Sequence, residues 1–273
     1  MSARKDETAV INYAKWLPIY EKEVPYQILS HFPGEYQKTN LEFGPAPLPE
    51  TIHDIRGREA DFAADSHGFQ ICRQRTKLSG PDWTNKDVVE SQYFAEIERL
   101  LKTELSDVDE VFFYDWRPRK NVSFKNEGVT AVDLDDLGQY LLPVGNAHID
   151  LSPLGTIRRV QYHMGERAEM LLRGRVRAVN VWRPITDYPV QDRPLALCDG
   201  TLVGETDLLP TDHIKKAYTG QTSNLIYRPG YRWYYLNRQT RDECTIFKMY
   251  DSLDGVAKRK LSKPAGFAPR NGA

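Results

Sequence analysis

After Leu105 the chain is written in short alternating runs, each closed by Pro, Gly, Asn or Asp: EVFFYDWRP, AHIDLSP, RAVNVWRPI, PLALCDG, SNLIYRP, YRWYYLNRQ and CTIFKMYDS. Period-two alternation between turn-forming residues is the pattern of strands joined by tight connections. Seven such runs predict a barrel or a sandwich. With 15 Tyr, 10 Phe, 5 Trp and 17 Pro, the composition also favours strands over a helical bundle. Helix is expected mainly before this point, over residues 84–102, where Val88, Val89, Tyr93, Ile97, Leu100 and Leu101 recur at spacings of three and four, with Asp82 or Thr84 as cap. A second, short helix is expected over 165–172. The reading is α+β, mainly β, with residues 1–105 wrapped on a core formed by 106–273 in one integrated domain.

Several function classes are disfavoured at once. Lys and Arg number 37 against 38 Asp and Glu, a net charge of −1, so no field is available to hold a polyanion and nucleic acid is not an expected partner. Cys72, Cys198 and Cys244 are far apart and form no CxxC, which argues against a disulfide framework or a structural zinc site. No segment has the length and apolarity of a membrane span or a signal peptide, so a cytoplasmic protein is expected. GxGxxG, GxxxxGK[ST] and GxSxG are all missing. Asp133, Asp135 and Asp136 lack the glycine turn and distal Glu of a calcium loop.

The segment Asn146-Ala147-His148-Ile149-Asp150 carries the most chemistry. In an extended chain residues i and i+2 share a face, so His148 and Asp150 can share a ligand. An imidazole beside a carboxylate supplies two positions of a 2-His-1-carboxylate iron site. The same pair also arises as a strand-end histidine hydrogen-bonded to its neighbour.

Around this segment stand Pro25-Tyr26, Thr39-Asn40, Asp54-Ile55-Arg56-Gly57, Gly68-Phe69, NVWRPI from Asn180, PLALCD from Pro194 and FKMYDS from Phe247 to Ser252. Taken in this order, the chain resembles the fungal and bacterial hydroxylase/desaturase family of AsaB-type and gibberellin-desaturase-like proteins, which includes relatives of the cephem methoxylase accessory protein. The resemblance implies a double-stranded β-helix core (jelly-roll, cupin-like) with the N-terminal helical and extended region packed on it. It makes His148 and Asp150 the first two iron ligands, and it implies Fe(II)- and 2-oxoglutarate-dependent oxidation in specialised metabolism.

The family pattern then breaks. A His-Thr-Ala-Phe-like motif carrying the second ligand histidine, and later an Arg-containing strand that grips the cosubstrate, are expected after the YDS segment. Here Ser262-Lys263-Pro264-Ala265-Gly266-Phe267 puts Pro264 in the histidine slot, and no histidine follows His213. Proline offers no atom to a metal. The first expectation is therefore an enzyme that has lost iron, needs no cofactor, and performs a redox-neutral cyclisation, cycloaddition, isomerisation or dehydration by holding its substrate in a reactive pose. Two alternatives stand beside it: an Fe(II)/2-oxoglutarate hydroxylase or desaturase with its third ligand from water, substrate or another residue, and a non-catalytic accessory or ligand-binding protein.

The expected pocket is apolar and takes a polyketide- or terpenoid-like molecule. His148, Asp150 and Arg183 are its expected catalytic groups; Arg158, Trp182, Arg232, Trp233 and Tyr235 are its expected substrate contacts. Arg183 reads equally as a structural partner of Asp199, and the aromatic residues as core. Alternation groups Tyr231, Trp233 and Tyr235 on one face and Arg232 and Tyr234 on the other, without showing which lines a cavity. His163 and His213 read as surface or turn histidines, and His31, His53 and His67 as structural or exposed. A monomer or homodimer is expected, the latter from the exposed-looking Tyr13, Trp16 and Tyr20.

Overall fold

Strands from both ends of the chain interleave in the same sheets. A computed structural model describes residues 5–30, 32–121 and 140–253. The first 105 residues contribute β1 (Glu7–Ala9), β2 (Asn12–Ala14), β3 (Tyr26–Ile28), β4 (Phe43–Pro45), β5 (Glu50–Asp54) and β6 (Phe69–Arg73). Later come β7 (His148–Ile149), β8 (Arg177–Trp182), β9 (Leu197–Cys198), β10 (Leu208–Ile214), β11 (Thr219–Leu225), β12 (Trp233–Tyr235) and β13 (Glu243–Asp251). Among the described residues they form sheets ordered β1-β5-β12-β9, β3-β10-β11-β7 and β6-β13-β8, with β2-β4 as a separate pair. Of the seven runs expected after Leu105, EVFFYDWRP forms no strand, and an isolated bridge between Arg119 and Leu141 follows just beyond it. The strand β10 was not among them, because LLPTDHI carries a proline and an aspartate.

Helices cover the sheets at two places. A single helical turn, α1 (Ala64–His67), precedes β6; after β6 the chain runs through α2 (Lys86–Val88), passes a π-turn at Val89–Tyr93, and continues as α3 (Phe94–Glu104). Asn85, rather than Asp82 or Thr84, caps α2 by accepting from Val88 N. Ile97, Leu100 and Leu101 of α3 pack on Cys72, Cys244 and Ile246 of the β6-β13-β8 sheet. Then α4 (Pro153–Met164) and α5 (Ala168–Leu172) follow β7. The start of α4 has an ordinary sequence signature: Ser152 accepts from Gly155 N, and Pro153 occupies the first turn, where its missing N–H is not needed. A Cβ on Gly155 would lie 2.1 Å from the Gln221 carbonyl oxygen, so only glycine lets α4 approach β11 this closely.

Buried polar motifs join the sheets. Asp54 accepts from the backbone of Lys5, Arg56 and Asn237, and Arg56 pairs with buried Glu243 at 2.5 Å. This gives the Asp54-Ile55-Arg56-Gly57 segment its role: it ties β5 to the turn after β12. Below the bulge in β13 at Lys248/Tyr250, Asp251 takes Arg175 at 2.7 Å and Lys248 at 3.0 Å with no side-chain exposure of its own. The N-terminal aromatics differ from the reading of the sequence. Tyr13 and Tyr20 are core residues, 2% and 1% exposed: β2 turns Tyr13 inward, and the 3-10 turn Pro18–Glu21 packs Tyr20 on Ala14 and Leu209 with its hydroxyl on the Asn40 carbonyl, while Trp16 remains on the surface.

Candidate active site

The strand β7 is only two residues long, and the chain bends away at Asp150. That bend lets the His148 and Asp150 side chains meet: Nε2 lies 3.1 Å from Oδ1. On its other side, His148 Nδ1 is 2.7 Å from the Asn146 carbonyl oxygen. A carbonyl only accepts, so Nδ1 carries the hydrogen and Nε2 is the nitrogen turned toward the carboxylate. Asp150 Oδ2 in turn accepts from Asn180 Nδ2 at 2.6 Å, so β8 of the neighbouring sheet orients the carboxylate. The two side chains keep 29% and 44% of their surface accessible, so both can be reached by a ligand.

Charge couples the pair. Burial alone would lower His148 and raise Asp150. The mutual hydrogen bond and attraction reverse both effects, leaving the imidazole above and the carboxyl below their usual ranges. Arg119 lies within electrostatic reach of both and is itself lowered by burial. Tyr114 is raised by burial, and the Asp150 charge adds to the shift. His213 shares a sheet face with His148, since His213 pairs with Gly220 and His148 with Asn224, four residues along β11. Burial, with the His148 charge adding to it, pushes His213 down to about 4.

Nε2 and Oδ1 both present lone pairs to one point, so either a proton or a cation must sit between them. Imidazole plus carboxylate, held by the Asn146 carbonyl and the Asn180 amide, is a donor set suited to a first-row divalent metal. Among the described residues no third His, Cys, Asp or Glu joins them. Pro264, expected to replace a ligand histidine, lies outside the described residues, as do His31, the Asp133–Asp136 loop and the basic tail after Ala257.

The remaining expected site residues divide by face. Alternation along β8 puts Trp182 on the face of Asn180, toward Asp150. Arg183 falls on the opposite face, under the helices: it is 7% exposed, lies 5.2 Å from the Tyr93 ring and bonds Gln74 and Cys244, so it is not brought to the pair. Nor does it meet Asp199, which caps Thr201. Tyr231, Trp233 and Tyr235 do share a face, and it is core: Trp233 Nε1 donates to the Tyr13 hydroxyl at 3.1 Å, and the Tyr235 hydroxyl to the Lys5 carbonyl. Arg232 is exposed. Arg158 is on α4, paired with Asp212 at 3.3 Å. His163, also on α4, packs against Phe112 and Tyr162, and His213 is in β10 rather than a turn. Asn180, Arg119 and Tyr114 were missed. The alternation NVW, with Asn180 two places before Trp182, is the signal that could have found the first.

A family model described as oxidoreductase/YMDC permease-like domain matches residues 11–269. The Fe(II)/2-oxoglutarate-dependent dioxygenase nvfI of Aspergillus novofumigatus (strain IBT 16806) is 31% identical over 236 residues, 85% of this chain and 79% of that protein. The chain belongs to this oxygenase family. Another member, the hydroxylase/desaturase efuI of Hormonema carpetanum, is 29% identical over 83% of this chain and 79% of its own length. Among solved structures, a variant of the iron and alpha-ketoglutarate-dependent endoperoxidase NvfI superposes with a TM-score of 0.77 at 26% identity, covering 100% of this chain and 94% of that one. The fold of this family member is the double-stranded β-helix. The relatives are oxidoreductase-type enzymes of fungal secondary metabolism.

One expectation is overturned. Pro264 pointed to an enzyme without a cofactor, yet relatives spanning most of the chain and the matching solved structures are named for iron and 2-oxoglutarate. Among the described residues of this family member, no helix is long and apolar enough to cross a membrane.

Proposed function

We propose that this chain is an Fe(II)/2-oxoglutarate-dependent hydroxylase or desaturase acting on an apolar, polyketide- or terpenoid-like small molecule. The observation that carries the reading is the His148–Asp150 pair, with Nδ1 engaged by Asn146 so that Nε2 and Oδ1 converge. These two atoms would hold the ferrous ion. Bound there with 2-oxoglutarate, it supplies the dioxygen-driven oxidation of a C–H bond.

The other residues act by position and charge. Asn180 keeps Asp150 Oδ1 turned to the imidazole by occupying Oδ2. Arg119 provides positive charge beside the pair, which attracts a dicarboxylate cosubstrate to the site. Trp182, on the Asn180 face of β8, is the aromatic wall for an apolar substrate.

The test is an anaerobic titration of Fe(II)-loaded protein with 2-oxoglutarate. A weak visible charge-transfer band, and succinate release coupled to product in air, are expected; His148→Ala loses both. Turnover that continues in EDTA without succinate refutes the reading.

A further inference from the structure

On the far side of the β6-β13-β8 sheet from Asp150, Cys72 and Cys244 are directly opposed Cα partners on antiparallel strands. Both are free thiols, 6% and 0% exposed, beneath α3. Arg183 Nη2 lies 2.6 Å from Cys244 Sγ and 2.7 Å from Gln74 Oε1, while its Nε and Nη1 are buried with no partner among the described residues. Its hydrogen-bond acceptors are a carbonyl, an amide oxygen and a thiol, none of them a carboxylate. A guanidinium does not give up its proton, and a buried cation needs a counter-charge.

We propose that Cys244 is held as a thiolate charge-paired to Arg183, and that Cys72 and Cys244 form a dithiol that a hydroperoxide converts to a cross-strand disulfide. Two ionisable groups touch Arg183. Tyr93 is raised by burial and stays neutral; Cys244 is lowered, first by the hydrogen bond from Cys72 and further by Arg183, against the effect of burial. Cys72 is the donor of that pair and also reaches the Cys244 carbonyl at 3.6 Å. Opposed residues on antiparallel strands have Cα atoms about 4.5–5.5 Å apart, within the span a disulfide needs. In the reaction, Cys244 sulfur attacks the O–O bond of hydrogen peroxide, becoming a sulfenic acid as one oxygen leaves as water. Cys72 sulfur then displaces the remaining oxygen as a second water, so two thiols lose two electrons and two protons and one peroxide is reduced. Burial restricts the reaction to oxidants of this size.

The full chain is treated with hydrogen peroxide, free thiols are blocked, and peptides are mapped by mass spectrometry. The 72–244 linkage is expected, forming about tenfold more slowly in Arg183→Gln because less thiolate is present. Oxidation confined to Cys198, or an unchanged rate in Arg183→Gln, overturns the proposal. Should that variant fail to fold, thiolate absorbance near 240 nm decides: the difference between wild type and Cys244→Ser at pH 7 should show one thiolate, and its absence is equally fatal.

Discussion

His148 Nε2 stands 3.1 Å from Asp150 Oδ1 while His148 Nδ1 is engaged by its own neighbour's carbonyl, Asn146 O. Two residues apart in sequence, the pair therefore presents one nitrogen and one oxygen to a common point. Replacing Asp150 by Asn removes the charge that a divalent ion requires. Fe(II) retention measured by metal analysis should fall to background in Asp150→Asn, with the melting temperature little changed; iron retained at wild-type stoichiometry would place the metal elsewhere.

Asn180 does not face the convergence point, yet it fixes Asp150 through Oδ2 at 2.6 Å. Outer partners of this kind typically change metal affinity by about 10–100-fold. Asn180→Ala should weaken Fe(II) binding by that order, read by competition with a chelator. Equal affinity in the two proteins would mean that Asp150 is oriented by other contacts.

Trp182 and Trp233 offer a contrast between wall and core. Trp233 is 7% exposed and hydrogen-bonded to Tyr13, so Trp233→Ala should lower unfolding free energy by about 3–5 kcal/mol in denaturant titration. Trp182→Phe should instead leave stability near wild type and alter KM or product ratio. The reverse pattern would exchange their roles.

Gly155 is the point where α4 meets β11. A methyl group there would collide with the Gln221 carbonyl, so Gly155→Ala should cost about 1–3 kcal/mol or more and loosen the segment that follows Asp150. Circular dichroism melts of the variant test this; an unshifted melt would show that α4 can move aside freely.

Asp251 sets an acid limit. Burial pushes its carboxyl up, but Arg175, the Leu253 N–H and Lys248 bring it down to about 2. A folded value below the unfolded value of about 3.9 stabilises fully above that pH, and the contribution is lost as pH falls through 2. Unfolding free energies at stepped pH should therefore decline between about pH 4 and 2. Asp251→Asn should flatten that decline and lower stability at neutral pH, since Lys248 and Arg175 lose their buried partner and keep, among the described residues, only Asp65, at 2.7 and 3.4 Å. An unchanged acid limb would assign the decline to other carboxylates.

Much of the architecture was legible because it depends on local periodicity. The alternation in RAVNVW and in TIFKMY places strands where β8 and β13 occur, and the apolar spacing from Val88 to Leu101 gives the helix that covers their sheet. The HxD spacing alone brought His148 and Asp150 together as candidates. Arg183 shows the limit: adjacent to Trp182, it is carried by the strand's two-residue period to the opposite face, under α3, where it meets Cys244 instead of the pair. Asn180, Arg119 and His213 reach the site from segments distant in sequence, through sheet pairing and loop closure that no local pattern encodes. The sequence by itself determined which residues alternate and which two ligand atoms are neighbours. The tertiary structure alone decided which face of each strand turns inward and which distant groups surround those atoms, because burial and charge coupling arise only when separate strands pack together.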